Sequence, residues 1–267
     1  MAGMSIIVCL PGAAAPRVDE AVAEAMKPFA RDGEGAVERD VWDTYRICGG
    51  TVGLPVKAGH EDDPRLIATR PHGDGTPDPD LPGVAAGAPR GLVDFRDALR
   101  AEVAEHAGRV WDRWQEVAAR HPGAEHEEAF YRRHLASGGT PATYPTSREA
   151  AAYQDQPAVR AWAEVAPALA RPDLADHLRF SWNPMHIGRV SREDYAAGVA
   201  SALLPDRNVL TLGGWWYELG EDPLHGACHG PADCHHRPDV EEHGVGVLAY
   251  LLALPADTLL VNVRCHV

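Results

Sequence analysis

Lysine is almost missing from this chain. Only Lys27 and Lys57 occur among 267 residues, and nearly every other basic residue is arginine. Ala, Pro and Gly abound as well, the bias of a GC-rich genome. The 25 basic residues are outnumbered by 39 acidic ones, for a formal charge of -14, and no basic stripe gathers. Nucleic acid is therefore not an expected partner, because phosphate binding needs clustered cations that displace counterions. Long apolar runs are absent too. Nothing approaches the roughly 18 residues of a membrane span, and the opening MAGMSIIVCLPG lacks the basic start and extended apolar stretch of a signal peptide. We expect no membrane partner and a cytoplasmic protein. Cysteine is scarce: Cys9, Cys48, Cys228, Cys234 and Cys265 are odd in number and scattered, which suits reduced thiols better than a disulfide framework. Neither a G-x-G-x-x-G run, a Walker signature nor a Gly-x-Ser-x-Gly elbow is present, which argues against dinucleotide, P-loop and α/β-hydrolase chemistry. No repeat of fixed period appears.

What is present has a clear grammar. SIIVCL, 5 to 10, is a short apolar run closed by Pro11-Gly12, the pattern of a buried strand. Val18, Val22, Ala25, Met26 and Phe29 then recur at helical spacing, with Asp19 and Glu20 at the end that the helix dipole favours. WDTYRIC, 42 to 48, alternates as a strand and is broken by Gly49-Gly50. Near the other terminus VLTLGGWWYEL, 209 to 219, reads as a strand whose glycine pair suggests a bulge or a close backbone approach. VGVLAYLLAL, 245 to 254, reads as a helix packed on a sheet, and TLLVNVRCHV, 258 to 267, as a strand.

Strand, helix, strand, a long interruption, then strand, helix, strand is the order of a split βαβ sheet. The expected class is α+β: a ferredoxin-like core from residues 1–50 and 204–267, with a mostly helical insertion over 51–203 between strands two and three. The insertion should open with an irregular Pro/Gly-rich loop at 55–91 and continue as an amphipathic helix from about 92 to 121. Shorter helices are expected at 125–136, 147–153, 157–170 and 191–203, the last started by Ser191 with Asp194 three residues on. Trp111, Trp114 and Trp162 fit a helical core, His126 and His134 a surface, and His186 a structural role in a connector.

Two places carry chemistry. GACHGPADCHH, 226 to 236, packs thiols and imidazoles into eleven positions of a thiol-poor chain. Such donors suit Zn²⁺ or another late transition metal. The five residues between Cys228 and Cys234 exceed the usual spacing of zinc-binding pairs. A mixed set of His225, Cys228, Cys234 and His236 nevertheless closes a tetrahedron; an exposed loop with free thiols, or a disulfide, is the alternative. The second place is the sheet face turned away from both helices. If Leu259, Val261, Val263 and Cys265 face the helices, Asn262, Arg264 and His266 face away, beside Trp42, Thr44 and Arg46 or their alternates. There His266 would be a general base, and Arg46 and Arg264 a clamp for a carboxylate or phosphate; edge or solvent residues near a chain end are the plainer alternative.

Further stretches point to a family. Pro28-Phe29, WDTYRICGG (42 to 50), Val93-Asp94-Phe95, Trp111-Asp112-Arg113, Gln156-Pro157, GWWYELG (214 to 220) and Cys265-His266 together resemble a family of uncharacterised proteins from bacteriophage and bacterial genomes. That family's pattern runs Ile-Gly-Gly-Arg-Trp, where this chain has Ile47-Cys48-Gly49-Gly50-Thr51. The resemblance implies no activity.

The expectation is thus an enzyme acting on a small molecule or short peptide between the sheet and the helical insertion, metal-dependent through zinc, with a homodimer by analogy. Its rival is a non-catalytic binding or regulatory protein, such as a phage-related sequestering or inhibitory factor, with a structural or mobile Cys/His loop.

Overall fold

A computed structural model describes residues 3–31, 41–71, 81–174, 190–201, 203, 208–218, 221–240 and 245–266. His186 lies outside the described residues. The chain is a mixed α+β protein of two compact units, Met1–Arg96 with Leu204–Val267, and Asp97–Leu203.

The first unit holds the sheet. Its strands are β1 (Gly3–Leu10), β2 (Thr44–Ile47), β5 (Gly87–Pro89), β6 (Val209–Leu210), β7 (Trp215–Tyr217), β8 (Leu224–His225) and β9 (Leu259–His266), with α1 (Val18–Met26) and α7 (Val245–Ala253) as its helices. A separate two-stranded ribbon pairs β3 (Leu54–Pro55) with β4 (Val84–Ala85). The sheet order is β2-β9-β1-β6-β7-β8, with β5 also paired to β9. The two ends of the chain meet along the whole of β1, from Gly3 opposite His266 to Leu10 opposite Leu259. β1 runs parallel to β6 through Ile7 opposite Val209.

Three features depart from the ferredoxin-like expectation. β2 lies beside β9 and not beside the 209 strand. That other edge is already taken, because 209–217 is not one strand: it turns at 211–214 and folds back, Val209 pairing Tyr217. Gly214, at φ +80°, takes the left-handed backbone of the turn, which a glycine enters without a Cβ penalty. An alternating strand has the same pattern on either edge, so its neighbour is not written in its own residues.

The helices also take opposite faces. Val18, Val22, Met26 and Phe29 of the first helical stretch pack on Ile6, Val8, Leu10, Val261 and Val263. On the reverse face Ile7, Cys9 and Leu260 pack with Val247 and Leu251 of α7. Leu54, Ala88, Leu92, Val93 and Phe95 join that same cluster. The 55–91 tract, expected as a plain loop of the insertion, therefore helps to cover the sheet, and β5 occupies the edge of β9 below β2, with Gly87 opposite Val261. The physical reason is visible in IIVCL, 6 to 10: a run apolar at every position needs cover on both sides. Burying each Val, Leu or Ile contributes about 1.5–3 kcal/mol, so a bare face here would forfeit several such terms.

The second unit is helical. α2 (Asp97–Arg120), α3 (Glu127–Ala136), α4 (Arg148–Gln154), α5 (Pro157–Val165) and α6 (Arg192–Ser201) are its main elements. Residue 92, expected at the start of the long helix, instead closes a short 3-10 turn over Arg90–Leu92, and the helix begins at Asp97. Val103, Ala107, Val110, Trp114 and Val117 bury one stripe of α2, and Trp114 meets Trp162 edge-on with ring centroids 5.6 Å apart. Ser191 Oγ accepts from the Asp194 amide at 3.0 Å and so starts α6 as expected. His134 is buried rather than at the surface: its Nε2 lies 3.1 Å from the Thr140 carbonyl and 3.0 Å from Thr143 Oγ1.

Candidate metal centre

The β7–β8 hairpin and the loop behind it build the site. Trp215 pairs with His225 across the hairpin, so the histidine ring is carried on a strand and lies tilted against the indole, with ring centroids 4.7 Å apart. The loop then coils back on itself. Cys228 N donates to the His225 carbonyl at 3.0 Å, and a 3-10 turn over Pro231–Asp233 takes up the five residues that looked too many between the cysteines. This coil brings the two thiols and His236 back over His225.

One ligand atom each from His225, Cys228, Cys234 and His236 all lie within 4.8 Å of one another. His225 Nδ1 is 3.4 Å from Cys228 Sγ, which is 3.3 Å from His236 Nδ1; Cys234 Sγ is 3.8 Å from that same nitrogen. In a zinc tetrahedron with sulfur at about 2.3 Å and nitrogen at about 2.0–2.1 Å, a sulfur and a nitrogen stand about 3.5 Å apart. The three sulfur–nitrogen separations are thus close to the edge length of such a tetrahedron, and this group could hold a metal ion. The other two candidates, His229 and His235, are exposed.

A second layer of contacts fixes the ring nitrogens. A carbonyl oxygen only accepts, so His225 Nε2–H donates to the Gly213 carbonyl, 3.1 Å away, and leaves the Nδ1 lone pair toward the sulfur. Behind the loop, Asp239 accepts from Thr211 Oγ1 and from the Gly213 amide. Tyr217 closes the far end: its hydroxyl accepts from Val240 N at 2.9 Å and donates to Val240 O at 3.2 Å. Desolvation first, then the hydrogen bond and charge of Cys234, then Asp233, push the Cys228 thiol up from its ordinary range.

No family model, curated protein or solved structure matches the chain.

The remaining predicted residues gather at the opposite end of the sheet. Thr44 pairs with His266 and Arg46 with Arg264, so the three residues expected to contact substrate are neighbours in adjacent strands. They do not stand on a bare face. Asn262, expected beside them, is fully buried and donates Nδ2–H to the Cys48 carbonyl at 2.7 Å. Only beyond it does β9 emerge, with Arg264 exposed and His266 half-exposed. Trp42 turns to the α1 face and donates Nε1–H to the Met26 carbonyl. His266 Nδ1 lies 2.7 Å from Asp43 Oδ1, a partner that reasoning from sequence missed because only the strand register puts it there. The hydrogen bond from His266, opposed by some desolvation, holds the Asp43 carboxyl below its usual range.

A cleft of about 500 Å³ opens where β1 and β6 end, lined by Cys9, Leu10, Pro11 and Arg17 on one side and Leu210, Thr211 and Gly214 on the other. Thr211 and Gly214 belong to the turn to which His225 and Asp239 are hydrogen-bonded. Burial of Cys9 raises its thiol far above the ordinary range, so it offers the cleft no nucleophile at neutral pH. Among the described residues no helix is long and apolar enough to cross a membrane.

Proposed function

We propose that His225, Cys228, Cys234 and His236 hold one zinc ion, and that this ion is a structural clip on a protein that binds a small molecule or short peptide in the cleft beside it. The approach of all four donor atoms to within 4.8 Å carries this reading. Two thiolates and two imidazoles are a zinc donor set, and four protein ligands leave no open position for a substrate. The Gly213 and Asp239 contacts connect the clip to the floor of the cleft. The carboxyl ends of the parallel pair β1 and β6 open into this cleft, and ends of parallel strands are common ligand sites in α/β sheets. Structural zinc contributes about 10–16 kcal/mol of apparent binding energy in small domains, so removal should be felt throughout the sheet unit. Protein purified without a histidine tag is expected to carry one zinc per chain and to melt earlier after chelation. Sub-stoichiometric metal, together with unchanged melting of a Cys228→Ser, Cys234→Ser double variant, would remove the metal from the account.

A second reading is favoured by one contact, His266 Nδ1 on Asp43. An imidazole oriented by a carboxylate through Nδ1 presents Nε2 as a base, and Arg46 and Arg264 beside it suit an anionic substrate. This keeps the catalytic residues expected from sequence, His266, Arg264 and Arg46, but makes zinc a scaffold and not a participant in the reaction. Turnover of small esters, phosphoesters or short peptides that vanishes in His266→Ala and survives in an Arg17→Ala variant of the cleft would establish it. The resemblance to the phage and bacterial family belongs to the same proposal: this chain's WDTYRICGG and Cys265-His266 stretches, which carry it, are strand partners, Tyr45 opposite Cys265.

A further inference from the structure

We infer that Cys228 and Cys234 form a redox-modification site, at which a peroxide converts the two zinc thiolates into one disulfide and expels the ion. The inference rests on the zinc reading above. Its first ground is selectivity by position. Cys9, Cys48 and Cys265 are buried, whereas Cys228 and Cys234 are each partly exposed, and thiol oxidation follows thiolate character and access. Its second ground is proximity. Both sulfurs belong to a set of ligand atoms within 4.8 Å of one another and share His236 Nδ1 as a neighbour, at 3.3 and 3.8 Å. A disulfide needs about 2.05 Å between sulfurs, so the pair closes by shifting the loop without moving a strand. Zinc holds both cysteines as thiolates, the nucleophilic form.

The step balances as follows. One thiolate attacks a peroxide oxygen, giving a sulfenic acid and hydroxide. The second thiolate attacks that sulfur and displaces a second hydroxide, forming the S–S bond. The two sulfurs lose two electrons, the peroxide gains them, and two solvent protons turn both hydroxides into water. Zinc then keeps only His225 and His236 and leaves as the hydrated ion. His225 also donates to Gly213, and Gly214 next to it lines the cleft, so the modified loop adjoins the cleft floor.

The test uses the full zinc-loaded chain and hydrogen peroxide. Metal release is followed with a chromogenic chelator, and cysteine states by mass spectrometry after differential alkylation. The expected result is one zinc released per chain in step with one Cys228–Cys234 linked peptide, reversed by a dithiol reductant and added zinc. Zinc retained under peroxide that fully oxidises a free thiol control would overturn the inference and leave the zinc reading intact. So would release accompanied only by sulfinic or sulfonic cysteine, or by disulfides to the buried cysteines. A chain that neither carries nor takes up zinc would fail both.

Discussion

The two ends of the sheet offer the same kind of residue in opposite states of completion. At the β8 end, His225 on the strand converges with one histidine and two cysteines of the loop that follows, and the backbone behind them is tied by Asp239, Tyr217 and the Gly213 carbonyl. At the β2 end, His266 meets one carboxylate, and Arg46 and Arg264 are strand neighbours near solvent. Closed donor sets hold an ion. Open dyads hold a proton or an anion, and do so with less stability at stake. The difference teaches that convergence inside one loop is set by local coiling, whereas convergence across strands depends on register.

The sharpest way to break the comparison is at the closed end. Cys228→Ser removes a thiolate from the set and should cut zinc affinity by more than the roughly 10–100-fold that follows loss of an outer partner. His229→Ala and His235→Ala, whose side chains are exposed outside the cluster, should leave it unchanged. Competition with a chelator of known affinity measures all three. Equal losses in the histidine variants would mean that the ion, if held, uses another set.

Next in size is the clamp at the loop's exit. Tyr217→Phe leaves the Val240 amide and carbonyl without the hydroxyl that serves both, in a place where Val240 is buried. An orphaned buried group costs about 1–3 kcal/mol, so the variant should melt earlier both with and without zinc. An unchanged melting temperature in the zinc-free protein would show that the metal, not the tyrosine, orders the loop.

A smaller effect is expected from Gly213→Ala. A Cβ at 213 would stand 2.3 Å from Asp239 Oδ2, so the carboxylate must swing away from Thr211 and the 213 amide. Zinc affinity should fall by about tenfold, the lower end of the cost of disturbing an outer partner, while the melting temperature of the zinc-free chain moves less than in Tyr217→Phe. Affinity unchanged within twofold would separate the turn from the metal loop.

How much of this was legible in the residues follows from the same contrast. The four ligands could be chosen from GACHGPADCHH and His225 because they sit within twelve positions of a hairpin end, where any compact loop forces them together. The pairing of the chain's two ends was also legible, since SIIVCL and TLLVNVRC are both apolar runs that need strand neighbours. The edge chosen by β2 was not, and neither were the opposite faces of α1 and α7, because alternation and helical periodicity mark a buried face without saying which sheet face it meets. The glycine pair at 213-214 suggests a bulge or a close backbone approach and forms a turn instead for a similar reason: such a pair permits all three, and only the antiparallel return of WWY decides. Asp43 was missed because its link to His266 spans 223 positions of sequence.

The gentlest test addresses the open end. In the folded chain the hydrogen bond from His266 holds the Asp43 carboxyl below its ordinary value. A depressed folded value means that the pair's contribution is fully present above the unfolded carboxylate range, about 3.9, and is lost as pH falls through the folded one. His266→Ala returns Asp43 toward the ordinary range. The variant should therefore melt slightly below the parent where the carboxylate is ionised in both folded and unfolded chains, and the two curves should converge as the solution is acidified through the folded value. This shift should be the smallest of the four, because both side chains are solvent-accessible. An offset that stays constant across that acid range would mean that His266 supports the strand end by packing alone, and Asp43 would then lose its role as the group that orients the imidazole.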